Sequence, residues 1–178
     1  MLKELRIFNI ILIESAEIFF ENGLNAITGE TGSGKSAIMH ALSLITGARA
    51  DSSIVRKGME KGSVEAHFEG PFSEALQQIL DDAGISLDEE EGLIIRREIS
   101  GNGKSRAFIN DQLVQIALIK LVGECLVDIV SQHAGRHLLS VEAHRQIIDL
   151  YGDLDVKVAA FAASWERESR LKKELMLL

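Results

Sequence analysis

Cysteine and proline occur once each in this 178-residue sequence, and aromatic residues make up only 5% of it. The single thiol, Cys125, forms no internal disulfide. It lies in the apolar stretch Glu124-Cys125-Leu126-Val127, where it reads as a small buried hydrophobe rather than a nucleophile. A reducing, cytoplasmic setting is the expectation. So few aromatics argue against a surface that stacks single-stranded bases. Long apolar runs are missing too: the longest near the start covers residues 10–13, far short of a membrane span, and no basic-then-apolar order marks a secretion signal. Basic residues are in deficit, 19 Lys and Arg against 27 Asp and Glu for a net charge of -8. That balance excludes a chain that coats nucleic acid with its whole surface and confines any such contact to a local patch.

What is present suits a folded domain, with 46% hydrophobic and 26% charged residues. A chain of this size buries roughly 70% of its unfolded surface, so its core needs neither disulfide nor structural metal. Three short β-type stretches cover residues 2–8, 15–20 and 24–28, the last two separated by the turn signal Glu21-Asn22-Gly23. A glycine loop follows directly, then a helical pattern over 37–45 that stops at Thr46-Gly47. Residues 63–68 alternate as a strand, and a helix is expected over 73–83 beyond Pro71. The acidic stretch at 81–91 reads as a solvated loop. Strands over 92–99 and 104–109 flank Ser100-Gly101-Asn102-Gly103, a hairpin signal because glycine and asparagine tolerate positive φ. A helix near 115–122, a buried strand over 125–130 and a helix over 141–150 capped by Ser140 complete a first region, residues 1–150. From residue 151 on, Leu154, Val158, Phe161 and Trp165 are spaced as in the seam between two packed helices. This pattern stops in mid-repeat at Leu178, which predicts that the natural chain continues.

The strongest motif is Gly29-Glu30-Thr31-Gly32-Ser33-Gly34-Lys35-Ser36, which matches G-x-x-x-x-G-K-[ST] between a strand and a helix. Its glycines let backbone N–H groups turn inward around phosphate oxygens at a helix N-terminus, where the dipole favours an anion. In this chemistry Lys35 bridges the β and γ phosphates and the Ser36 hydroxyl ligates Mg²⁺. Hydrolysis needs a further acidic group and something to orient water. Asp128, at the end of the apolar run Cys125-Leu126-Val127, fits a magnesium-holding Walker B aspartate, but no Glu follows it, and Gln132 is the next polar group presented. From pattern alone both readings stay open.

Further motifs carry a resemblance. Asn9 in the first strand, residues 23–36, Gly47-Ala48-Arg49-Ala50, the hairpin 104–110 and Asp128-Ile129-Val130-Ser131-Gln132-His133 together resemble the RecN family of bacterial DNA repair proteins, in the SMC-like branch of the ABC ATPases. The resemblance covers essentially the whole chain. It implies an α/β fold: the N-terminal lobe of an ABC/SMC-type P-loop ATPase head, with a mixed sheet around the P-loop strand, an antiparallel β-layer from 1–28 and 63–109, and the start of a coiled-coil helix. It implies ATP and Mg²⁺ as cofactors, Gly29 to Ser36 as the nucleotide cradle, and Gln132 as the Q-loop residue that contacts Mg²⁺ and the attacking water, leaving Asp128 a structural role. Its partners would be the C-terminal half-head, a second head in a homodimer, and DNA double-strand ends in the bacterial nucleoid, with no membrane. Where the family commonly reads Ile-His-Gly-Gln-His, this chain has Ile129-Val130-Ser131-Gln132-His133, so a role for the earlier His is lost.

Two rivals give contrasting expectations. A self-contained small kinase or GTPase using Asp128 would turn over nucleotide alone. An interaction module built on residues 154–178 would bind none. The basic residues Arg96, Arg97, Lys104 and Arg106 read as strand neighbours paired across to Glu98 and the acidic loop, in preference to a phosphate-binding patch.

Overall fold

The alternation of apolar and polar residues becomes a six-stranded antiparallel sheet in the computed structural model of the chain, which describes residues 1–30, 32, 34–88, 92–129, 144, 145, 148, 149 and 151–176. Strands β1 (Leu2–Ile10), β2 (Ile13–Phe19), β3 (Lys61–Phe68), β4 (Leu93–Ser100), β5 (Ser105–Ile109) and β6 (Gln112–Val114) lie in the order β2-β1-β3-β4-β5-β6. One face is apolar: Leu5 and Ile7, Val64, Ala66 and Phe68, Leu93, Ile95 and Ile99, Ala107 and Ile109 are all buried. Helices α1 (Lys35–Ile45), α2 (Glu74–Asp82) and α3 (Ile116–Leu126) share this core through Ala41, Leu44 and Ile45, Leu76 and Leu80, and Ile119 and Val122. Each fully buried Leu or Ile stabilises the fold by roughly 1.5–3 kcal/mol relative to its exposed state.

Local chemistry sets the element ends. Ser73 caps α2, its Oγ accepting from Leu76 N–H at 3.3 Å. The expected hairpin forms between β4 and β5, with Ser100 N–H donating to Lys104 C=O and Gly103 N–H to Ser100 C=O, both at 2.8 Å. Strand β6 was not expected. It follows from Asn110 and Asp111, which both adopt positive φ, 44° and 62°, the conformation of a tight hairpin turn matched to strand twist.

The opposite face of the sheet carries a row of alternating charge. The register sets Glu17 opposite Arg6, Arg6 opposite Glu65, Glu65 opposite Arg96 and Arg96 opposite Phe108. Arg6 meets Glu17 at 2.9 Å and Glu65 at 3.5 Å, while Arg96 reaches Glu98 at 3.5 Å and Asp111 at 2.9 Å and stands 4.5 Å above the Phe108 ring. Cross-strand pairing is therefore the role of Arg96.

The chain divides into two compact units, residues 1–128 and 129–178. In the second, His144, Arg145, Ile148, Asp149 and Tyr151 are helical, and helix α4 (Asp155–Met176) follows. Phe161 and Trp165, one helical turn apart, stack with ring centroids 6.4 Å apart. Ser140 lies outside the described residues. Among the described residues, no helix is long and apolar enough to cross a membrane.

Four expectations are corrected. Residues 24–28 form no strand: they run exposed, Leu24 at 97%, and the sheet is antiparallel throughout, with no parallel strand beside the P-loop among the described residues. A strand exists only through a partner that takes its N–H and C=O groups. Residues 125–129 of the run expected over 125–130 form no buried strand, because Cys125 and Leu126 are the last residues of α3, and Val130 lies outside the described residues. Cys125 is also exposed: Ile119, Val122 and Gly123 form the packed side of α3, and helical geometry turns Cys125 away, next to exposed Leu121.

Candidate functional site

Lys35 begins α1, and Gly34 is its N-cap residue at φ 99°, with no side chain capping the helix. Gly32 lies at φ 87°. Both values fall in the left-handed region that β-carbons resist, and this is why the loop needs glycine there. The first turn of α1 therefore has no side-chain cap, and a helix N-terminus of this kind directs its backbone N–H groups toward an anion. Lys35 bends its ammonium group over the loop: Nζ donates to Gly29 C=O and, at 2.6 Å, to Glu30 C=O. Ser36 is exposed on the first turn. Thr31 and Ser33 lie outside the described residues.

The mouth of the loop opens into a cavity of about 340 Å³ lined by Gly32, Gly34, Lys35, Ser36, Ala37, His40, Ile11 and Leu12. The last two come from the β1–β2 turn, and no sequence signal tied them to the glycine loop. Asn9 and Ile11 both sit at φ 51° there. Residues 51–56 hold this turn in place: Ile11 N–H donates to Ile54 C=O at 2.8 Å, Arg56 N–H to Asn9 C=O at 3.0 Å, and the Arg56 guanidinium to Glu14 at 2.6 Å. Asp51 caps that segment by accepting from Ser53 N–H at 2.8 Å and from the Ser53 hydroxyl, which holds its carboxyl below the usual value.

Behind the loop, α1 packs through Ala37, Ala41, Leu44 and Ile45. The helix end is also held by Arg97, whose side chain is only 1% exposed. Its Nη1 donates to Leu44 C=O at 3.1 Å and its Nε to Ser105 Oγ at 2.9 Å. Neighbouring arginines thus part ways: Arg96 pairs with acids on the outer face, while Arg97 points into the core. Its position in the series Leu93, Ile95, Arg97, Ile99 carries that signal, and the expectation that treated the basic residues alike is corrected for Arg97. Lys104 and Arg106 are exposed.

Asp128 is exposed and lies just past α3, in no strand. The reading that makes it a magnesium ligand requires a strand end and does not find one. Gln132 and His133 lie outside the described residues. Among the described residues, no three His, Cys, Asp or Glu side chains are grouped to hold a metal. Among the described residues, the loop hydroxyl suited to a loop-bound cation is that of Ser36, which fits a metal held jointly with phosphate oxygens better than one held by protein alone.

A family model described as an AAA domain matches residues 4–176. The DNA repair protein RecN of Bacillus subtilis is 37% identical over 180 residues, covering 100% of this chain and 31% of that protein. RecN of Vibrio cholerae is 35% identical over 98% of this chain and 32% of its own length. The chain therefore spans about a third of the length of the curated relatives it matches. Among solved structures, the Smc head domain with an extended coiled coil from Pyrococcus furiosus, bound to the C-terminal domain of ScpA, superposes with a TM-score of 0.67 at 20% identity, over 98% of this chain and 47% of that one. A structure from work on ATP-driven dimerization and DNA-stimulated activation of SMC ATPases superposes with a TM-score of 0.59 at 20% identity, over 83% of this chain and 97% of that one. The antiparallel sheet, the glycine loop at the head of α1 and the matched span agree: the chain belongs to the AAA domain family, as a relative of the DNA repair protein RecN with the fold of the N-terminal lobe of an SMC-type ATPase head.

Proposed function

We propose that this chain is the ATP-binding lobe of a RecN-like ATPase that acts in recombinational repair of DNA double-strand breaks. The observation that carries the reading is the uncapped N-terminus of α1, with Gly32 and Gly34 in left-handed conformations and the Lys35 ammonium held over the loop. Gly29 to Ser36 would cradle the triphosphate, with Lys35 neutralising its charge, Ser36 as the Mg²⁺ ligand of the loop, and Ile11 and Leu12 giving the nucleotide an apolar wall. The cation, when bound, screens the phosphate charge against an attacking oxygen. Gln132 would orient the attacking water and complete the metal shell.

Hydrolysis in this reading needs a second lobe that brings the signature motif and Walker B carboxylates, and a second head across the nucleotide. Two observations support this. Residues 24–30 lead into the loop as exposed chain without a strand partner among the described residues, with Leu24 in solvent and Ile27 half exposed. The SMC structure cited above comes from work on ATP-driven dimerization and DNA-stimulated activation, which agrees with nucleotide-dependent head pairing and DNA as partner. The protein would work in the cytoplasm, at the nucleoid.

The experiment is Mg-ATP and Mg-GTP binding and hydrolysis by the 178-residue chain, with Lys35→Ala as the blank. Binding that requires Lys35, with no turnover, is the expected result. Lys35-dependent turnover by this chain alone would overturn the reading in favour of a self-contained enzyme.

A further inference from the structure

Helix α1 has no counter-charge of its own at either end: its first turn holds no acidic residue and its last turn no basic one. The macrodipole must then be met from outside. At the N-terminal end that would fall to the phosphate proposed to bind there. At the C-terminal end it falls to Arg97, which comes from β4, far along the sequence, and places a guanidinium N–H 3.1 Å from Leu44 C=O. The same carbonyl also accepts from Gly47 N–H at 3.2 Å. Among the described residues no carboxylate forms an ion pair with Arg97, so the carbonyl end of α1 and the Ser105 hydroxyl are what compensate its burial. An arginine buried this deeply stays charged, and its charge interacts strongly with a dipole where water is excluded. Desolvation pushes its pKa down, as expected for a cation without an acid beside it.

We infer that Arg97 is a positioning residue for the phosphate loop: by holding Leu44 C=O it fixes the C-terminal end of α1 on β4, and with it the place where the helix presents its N-terminus to nucleotide. The inference rests on the nucleotide binding proposed for Gly29 to Ser36. The mechanical step is simple. An 11-residue helix is a stiff rod about 16 Å long, so a tilt released at one end displaces the loop at the other. Ser105 extends the anchor to β5, so the hairpin, Arg97 and α1 form one hydrogen-bonded piece.

The test compares Arg97→Met, Arg97→Lys and Ser105→Ala in the 178-residue chain by amide hydrogen exchange and by Mg-ATP titration. Arg97→Met is expected to accelerate exchange in residues 38–48 by tenfold or more while β1 and β3 keep their protection, and to weaken nucleotide binding roughly tenfold, the scale of a partly buried charge–dipole contact. Arg97→Lys, which keeps one donor, should restore part of both effects, and Ser105→Ala should show a smaller change in the same segment. Exchange that rises evenly across the sheet, or leaves α1 unchanged, overturns the inference. If Arg97→Met does not fold, the other two variants decide by the same criterion. Equal nucleotide affinity in wild type and variants also overturns it while leaving the proposed function intact. A wild type that binds no nucleotide, with loosening confined to α1 in the variants, removes the functional reading and leaves the anchor standing.

Discussion

Gly123 on α3 lies directly against the backbone of Thr46 at the end of α1; a β-carbon on Gly123 would stand 2.7 Å from Thr46 Cα. The contact is reciprocal one residue on, where a β-carbon on Gly47 would stand 2.8 Å from Lys120 Cα. The atoms met are backbone and the Cβ atoms fixed to it, not the free end of a flexible side chain, so the two helices approach this closely only because both positions lack side chains.

Gly123→Ala is therefore expected to force α3 away from α1 and to destabilise the chain by roughly 1–3 kcal/mol, the usual scale of an overpacked core. A thermal melt of the variant checks this. An unchanged melting temperature would show that the helices separate without loss.

Gly34→Ala behaves differently. A β-carbon there meets nothing within 4 Å, but the φ of 99° is one that alanine resists. The expected stability loss is about 1–2 kcal/mol from backbone strain, with a disproportionate loss of nucleotide binding because the loop must reshape. Parallel melts and Mg-ATP titrations separate the two effects.

The charged row on the outer face should contribute little. Arg6, Glu65 and Arg96 are all partly solvated, and exposed pairs contribute little and are screened by salt. Glu65→Ala is expected to lower the melting temperature slightly at low ionic strength, with the difference vanishing in high salt. A large, salt-insensitive loss would mean that the face is covered by a partner.

Asp51 gives a pH prediction. Its carboxyl lies below its ordinary value because the Ser53 hydroxyl, and then the Ser53 backbone N–H, donate to it. A folded value below the unfolded one, near 3.9, means that the contribution is present above that pH and is lost as pH falls through the lower, folded value. As pH falls below about 4, Asp51→Asn should lose less stability than wild type. Since Asp51 holds the segment that carries Ile54 and Arg56, the variant should also loosen Ile11, which exchange at its amide would report.

Much of the candidate site was legible because its determinants are local. Gly32, Gly34 and Lys35 dictate backbone conformation and charge within eight residues, and no distant contact is needed to recognise them. The same holds for the turn at Ser100 to Gly103, where residue type alone selects φ. The parity of Leu93, Ile95 and Ile99 marked the core face of β4, and it carried Arg97 inward as well. The grouping of Arg97 with its charged neighbours concealed this, since charge predicts exposure only until a carbonyl replaces water.

The sequence by itself determined the glycine loop, the helix that follows it, the alternating strands and the hairpin, because each is decided by backbone preferences and periodicity over a few residues. Only the tertiary structure decided that β1 lies between β2 and β3, that Ile11 and Leu12 face the phosphate loop, that Arg97 closes the far end of α1, and that Cys125 ends a helix in solvent. Residues 24–28 make the distinction sharpest. Their composition suits a strand, but a strand is a property of two segments, and pairing at long sequence separation is what no local pattern encodes.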